Sequence, residues 1–188
     1  ECAGVLGEMR TRLKKHLNAV PDHAPIWNEY PEKYKTVAIG STWPDLLVDF
    51  SETKSVRQSF TAAGEKLHGV GWMIPFFQQG ISPVDMTVKV VSAAGSVIAE
   101  TTVPCEKIYS LYPVFAELNA TLTAGETCFI EFIPAGAVEK DRLKLWAFPD
   151  DAYAGGALIL DGRNTGGDLS LTFVYNTQDA AEGVNTNL

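Results

Sequence analysis

Hydrophobic and polar positions follow two different periods along this chain. From Val5 to Val20 the apolar residues Val5, Leu6, Met9, Leu13, Leu17 and Val20 recur every three or four positions, while Arg10, Arg12, Lys14 and Lys15 lie largely off that stripe. This predicts an amphipathic helix. Lys14, Lys15 and His16 stand near its carboxyl end, where the helix dipole favours positive charge, and Pro21 stops it. An isolated helix of this length does not hold its shape in water, so the stripe is expected to pack on something.

The stretch PDHAPIWNEYPEKY, residues 21–34, has three prolines, three aromatics and no period, and reads as an extended linker along a surface. From about Lys35 the period becomes two. VRQSFTA, KLHGVGWMIPFF, MTVKVVS, SVIAETTV, TCFIEFI, RLKLWAF, ALIL and LSLTFVYN alternate as strands do. Between them stand turns such as AAG (62–64), SAAG (92–95), TAG (123–125) and PAG (134–136). Short strands at this spacing, with almost no helix between them, predict an all-β antiparallel sandwich or barrel. The absence of βαβ alternation excludes a parallel nucleotide-binding sheet. The expected organisation is residues 1–34 as helix and linker, 35–178 as the β domain and 179–188 as a flexible tail.

Composition narrows the class. The chain has 188 residues, 46% hydrophobic and 20% charged, which suits one globular domain with a short appendage. Its longest uncharged apolar run, Gly69 to Phe77, is too short to span a bilayer. No signal peptide is visible, and a first residue Glu1 instead of methionine marks the chain as an expected piece of a longer protein. The net charge of −8 and the lack of a basic stripe argue against nucleic acid and favour neutral ligands. Cys2, Cys105 and Cys128 do not have zinc-ligand spacing. A Cys105–Cys128 bridge and buried free thiols are the two readings, and they imply different compartments.

Candidate chemistry is sparse. In GGALILDGRNTGGDLSLTFVYN, from Gly155 to Asn176, glycines run into an alternating strand and not into a helix, so a phosphate cradle is excluded. Asp161, Asn164 and Asp168 leave two readings: turn residues bonding their own backbone, or oxygen ligands of a structural calcium ion. No serine or cysteine sits in a nucleophile elbow, and the scattered Glu106, Glu117, Glu126 and Glu131 read as solvated acids. No catalytic set is proposed. Trp72 shares a strand face with Val70, Ile74 and Phe76 and is expected in the core. Trp146 alternates with Leu143, Leu145 and Ala147, on the face that carries Arg142, Lys144 and Phe148. An indole beside cationic donors suits a sugar, with C–H groups on the ring and hydroxyls on the donors; the other reading is a tryptophan covered by the helix or linker.

QSFTAAGEKLHGVGWMI, MTVKVVSAAGSVIAETTV, LTAGETCFIEFIP and GGALILDGRNTGGDLSLTFVYN together resemble the jelly-roll accessory modules found beside catalytic domains in bacterial polysaccharide-degrading enzymes. The resemblance covers roughly Val56 to Asn176. It implies a jelly-roll sandwich, with GG…GGDL as its closing hairpin and Gly155 and Gly156 at a tight approach to the final pair of strands. CAGVLGEMRTRLKKHLNAVPDHAP is similar to the last helix of sulfatase-type hydrolases. This implies the C-terminal piece of a larger hydrolase, without the sulfatase metal and nucleophile motifs.

The expectation is therefore a noncatalytic carbohydrate-binding module, secreted or periplasmic, whose partners are a polysaccharide or oligosaccharide and a neighbouring catalytic domain, with no cofactor and no membrane. The alternative is a structural interdomain sandwich without a ligand. The expected sugar-contacting residues are Trp146, Arg142, Tyr153, Asp161 and Asn164.

Overall fold

A computed structural model describes residues 33–40, 42, 44–75 and 80–177. The predicted helix Val5–Val20, the proline-rich linker through residue 32, Phe76 and the 179–188 tail lie outside the described residues.

The described chain is all β. Its strands are β1 (Tyr34–Ala38), β2 (Leu46–Asp49), β3 (Val56–Thr61), β4 (Lys66–Met73), β5 (Met86–Ser92), β6 (Val97–Val103), β7 (Pro113–Thr121), β8 (Thr127–Pro134), β9 (Lys144–Phe148), β10 (Leu158–Leu160), β11 (Arg163–Asn164), β12 (Asp168–Leu169) and β13 (Leu171–Asn176). Among the described residues the only helical element is a 3-10 turn at Cys105–Lys107. The strands form a four-stranded sheet, β1-β13-β4-β7, a six-stranded sheet, β11-β10-β3-β8-β5-β6, and a three-stranded sheet, β12-β9-β2. Every strand pair is antiparallel.

The alternation read from the sequence is what buries the core. In β3 Val56, Gln58 and Phe60 point inward, in β8 Cys128, Ile130 and Phe132, and in β13 Leu171, Phe173 and Tyr175. The two larger sheets meet through rings. Phe60 of β3 stacks on Phe173 of β13 with centroids 4.4 Å apart, and Trp72 of β4 meets Phe132 of β8 edge to face at 5.2 Å. Trp72 is in the core, as expected, together with Val70 and Ile74.

Four strand pairs are nested in the chain: β1 with β13, β3 with β8, β4 with β7, and β5 with β6. Successive pairs alternate between the four- and six-stranded sheets. The expected closing hairpin is different. β10 pairs with the two-residue β11 across Asp161 and Gly162, whose φ values of 48° and 79° are those of a type I′ turn. The GGDL segment instead starts β12, which lies against β9 and runs on into β13 between β1 and β4. Gly156 does mark a tight approach, but to β3: a Cβ there would stand 1.8 Å from the Ser59 carbonyl oxygen.

Candidate functional site

Trp146 lies in β9, the middle strand of the small sheet. Leu145 and Ala147 point into the core, while Lys144 and Trp146 are half-buried on the outward face. Directly across from Trp146 on β2 is Leu47, and across from Lys144 is Asp49. On the other side the Trp146 carbonyl accepts the Ser170 amide at 2.9 Å. The outward face is therefore an indole flanked by an exposed leucine, with an acid–base pair one step along the strands. Leu46 and Leu47 are 37% and 40% exposed.

The polar half of this face is held in place. Asp49 accepts the Ser51 amide at 2.9 Å and the Asp141 amide at 3.0 Å, and lies 3.7 Å from the Lys144 ammonium. Partial burial opposes ionisation of Asp49, but the amides and Lys144 outweigh it and hold the carboxyl below its usual range. Lys144 also bonds Asp141, and that bond, against partial burial, keeps its ammonium charged to higher pH than usual. Lys144 is on this face as the period predicts, whereas Asp49 and Leu47 are not among the contacts expected from the sequence. Their signal, LLVD, is only four residues long and does not alternate cleanly in exposure.

The other expected contacts do not all gather around Trp146. Arg142 precedes β9 and pairs with Glu139 at 3.7 Å. The Tyr153 hydroxyl accepts the Thr61 amide and donates to the Thr61 carbonyl, both at 3.3 Å, and its ring packs on the core. Asp161 accepts the Lys54 and Ser55 amides, each at 2.9 Å, which ties the β10–β11 turn to the start of β3. Asn164 accepts the Gly166 amide at 2.8 Å. Thr61 and Ser55 flank opposite ends of β3, about 20 Å apart at strand rise. A single surface joining Tyr153 to Asp161 is not formed.

Of Asp161, Asn164 and Asp168, only Asn164 bonds its own turn, while Asp161 and Asp168 accept from other segments of the chain. Asp168 is fully buried, and both of its carboxylate oxygens have protein donors. Oδ1 accepts from Gln58 Nε2 at 2.7 Å, and Oδ2 accepts the Ala152 and Tyr153 amides at 2.9 Å each. Gln58 Oε1 in turn accepts the Leu169 amide at 2.7 Å. The glutamine of QSF and the aspartate of GGDL thus meet as one buried pin between β3, β12 and the 151–153 loop. The sequence hint is Gln58 itself, a polar residue at an inward position of an otherwise apolar strand face.

Cys105 and Cys128 are free thiols. The Cys105 amide donates to the Asp85 carboxylate, just before β5, while Cys128 pairs with Ser92 at the far end of β5. The two are about 20 Å apart at strand rise, too far for a bridge. Asp85, Cys105 and Glu106 are the one group of acids and thiol, among the described residues, with ligand atoms all within 4.8 Å of one another. Burial, then the neighbouring Asp85 and Glu106 carboxylates, push the Cys105 thiol up, which disfavours the thiolate a soft metal needs. No protein-family model matches the chain, and no curated protein matches it either.

Proposed function

We propose that this chain is a noncatalytic accessory module of jelly-roll topology that binds carbohydrate. Nested strand pairs that alternate between two facing sheets support the jelly-roll assignment. Trp146 carries the functional reading: a half-buried indole on the outward face of β9, beside the fixed Lys144–Asp49 pair. In this reading the indole stacks on the C–H surface of a sugar, while Lys144 and Asp49 hydrogen-bond its hydroxyls. Arg142 extends the same face; Tyr153, Asp161 and Asn164 act as scaffold. The partner glycan is neutral, the setting is secreted or periplasmic in a bacterium, and the module works beside a catalytic domain of a larger hydrolase.

Affinity electrophoresis against a panel of soluble polysaccharides tests this. Trp146→Ala should lose severalfold in binding and remain folded, whereas Trp72→Ala should mainly unfold the domain. Equal binding by parent and Trp146→Ala removes the site.

One observation favours a second reading. Leu47 exposes apolar surface directly across from Trp146, as expected where a neighbouring domain packs. In that case Leu47→Lys lowers the stability of the parent protein's domain pair, and no glycan binds.

A further inference from the structure

Residues 117–121 read ELNAT, and they contain the only asparagine in the sequence that is followed two residues later by serine or threonine. An Asn-x-Ser/Thr tripeptide without proline in the middle is the acceptor pattern for N-linked glycosylation. Glu117 adds an acid two positions before the asparagine, the further mark that bacterial oligosaccharyltransferases select. Such a pattern has chemical meaning only where the chain can be reached from solvent.

ELNAT is the second half of β7, the end strand of the four-stranded sheet. Strand alternation separates its residues. Glu117, Asn119 and Thr121 are exposed, while Leu118 and Ala120 are buried. The three positions that a transferase must read therefore stand together in solvent, and the two between them hold the strand to the core. Among the described residues β7 pairs with β4 alone.

The backbone is irregular at the acceptor itself. Leu118 and Asn119 together face His68 of β4, because Leu67 pairs with Ala120 and Gly69 with Glu117. Asn119 takes a left-handed φ of 49°, a conformation asparagine tolerates better than most residues. The strand thus departs from a regular ladder where modification would occur. The polar groups are oriented as well. Asn119 Nδ2 donates to Glu117 Oε1 at 2.8 Å, so its Oδ1 is the acceptor facing His68 Nδ1 at 2.9 Å. One N–H serves the bond to Glu117, so the other hydrogen on Nδ2 can be replaced with both bonds kept. Thr121 Oγ1 accepts from the exposed Lys66 Nζ at 3.1 Å, which leaves its own O–H to donate.

We propose that Asn119 is an N-glycosylation site, with Glu117 and Thr121 as the flanking residues that the transferase reads. The co-substrate is an oligosaccharide carried on a polyprenyl diphosphate. Asn119 Nδ2 bonds to the anomeric carbon, and the bond from that carbon to the phosphate oxygen breaks. The diphosphate leaves with the electron pair, and the amide nitrogen gives up one proton in exchange for the sugar. The proposal rests on the exported setting given above, since this transfer takes place outside the cytoplasm. A glycan here also covers the open edge of the four-stranded sheet, where Pro113 and the bulge already oppose pairing with another chain.

The folded 188-residue chain is incubated with a purified bacterial oligosaccharyltransferase and a polyprenyl-diphosphate-linked oligosaccharide, followed by intact mass and glycopeptide mapping. A synthetic peptide of residues 115–123 shows that the transferase is active. The parent should gain one glycan, on Asn119. Asn119→Asp, which keeps a residue suited to the left-handed backbone, should gain none. Thr121→Val should gain none either, and it carries the same test should Asn119→Asp fail to fold. Glu117→Gln should lose most of the transfer. A folded parent that stays unmodified while the peptide is modified overturns the proposal, as does a glycan retained in Thr121→Val. Undiminished transfer to Glu117→Gln overturns the role given to Glu117. The exported setting is read separately, by fractionating the source cells: a cytoplasmic protein that is modified in vitro has the acceptor without the setting.

Discussion

Replacing Asp168 with asparagine turns one acceptor oxygen into a donor NH2 at a position with no exposure. The consequence follows from the hydrogen bonds around it. Turned toward the 151–153 loop, the new NH2 meets the Ala152 and Tyr153 amides; turned toward β3, it meets Gln58 Nε2. Gln58 cannot invert to help, because its Oε1 holds the Leu169 amide and its Nε2 also donates to the Ser59 carbonyl at 3.0 Å. One buried donor–donor contact is therefore unavoidable. Losing a hydrogen bond costs about 1 kcal/mol and leaving a buried donor unsatisfied costs about 1–3 kcal/mol, so Asp168→Asn should destabilise by roughly 2–4 kcal/mol. In a domain of this size that lowers Tm by roughly 5–15 °C. Pairing it with Gln58→Glu restores the match. The introduced carboxylate on β3 would accept both the Leu169 amide and the new asparagine NH2, leaving the asparagine oxygen for the loop amides. The recovery is partial, since the bond to Ser59 is not replaced. Urea unfolding of the parent, both single variants and the double gives the coupling, expected at about 1 kcal/mol or more in favour of the double, the worth of one restored bond. Stability of Asp168→Asn within about 0.5 kcal/mol of the parent, the scatter of ordinary surface changes, would refute the pin. So would a double variant no better than the worse single.

Gly156→Ala should lose more stability than Gly95→Ala by thermal unfolding. A Cβ at Gly156 meets the Ser59 carbonyl, whereas Gly95 faces open space and strains only through its φ of 86°, about 1–2 kcal/mol. Cys105 and Cys128 should both be alkylated without prior reduction in denatured, peptide-mapped protein. In the native state Cys128, fully buried, should react far more slowly than Cys105, and Cys105 should reach half its maximal rate at higher pH than an ordinary thiol. Burial, partly offset by its bond to the Ala63 amide, pushes the Tyr175 hydroxyl up to about 12. Its folded value then exceeds the unfolded value of about 10. The folded state keeps a proton that the unfolded state has lost, so stability falls between about pH 10 and 12 by an amount on the order of 2–3 kcal/mol. Tyr175→Phe should flatten that part of the unfolding profile, and an unchanged profile would contradict it.

What the sequence made legible was the inward–outward alternation. Leu143, Leu145 and Ala147 against Arg142, Lys144 and Trp146 could be assigned to two faces by period alone, but Phe148, which the same period puts beside Trp146, is buried in the core. β7 escaped notice because its buried positions are Val114, Ala116, Leu118 and Ala120, two of them alanines that give little hydrophobic contrast. Pro113 at its start and the left-handed Asn119 within it look like loop punctuation. β2 escaped because its only buried residue is Val48, with the bulkier Leu46 and Leu47 exposed. β1 escaped as well, since its first residue, Tyr34, reads as the end of the linker; with these strands unrecognised, Leu47 could not be set beside Trp146, nor Phe115 beside His68. The partners of Asp161 and Asp168 were hidden for another reason. Their donors lie 106 and 107 residues away for Asp161, and 110 for the Gln58 bond to Asp168. No local pattern encodes such pairings.

Asp161, Asn164 and Asp168 are accounted for by the fold itself. They satisfy backbone amides that would otherwise go unpaired, so their presence needs no ligand. Trp146 and Phe115 are half-buried rings. Each lies on the outward face of a sheet whose inner face is already filled by Leu145 and Ala147 in one case, and by Val114 and Ala116 in the other. A core aromatic stabilises by leaving water, which a half-buried outward ring achieves only in part. Of the two, the Phe115 surface has more local structure devoted to it: two glycines cleared beneath the ring, two register shifts and an asparagine in a left-handed conformation, all within a few residues of His68. Bulges and strained residues disfavour a regular ladder and persist where surrounding contacts hold them. Deleting Asn119 would turn the buried Ala120 outward and bring Thr121 into its place, so it should lower stability in urea unfolding. A deletion variant as stable as the parent would refute this reading of the β7 alternation.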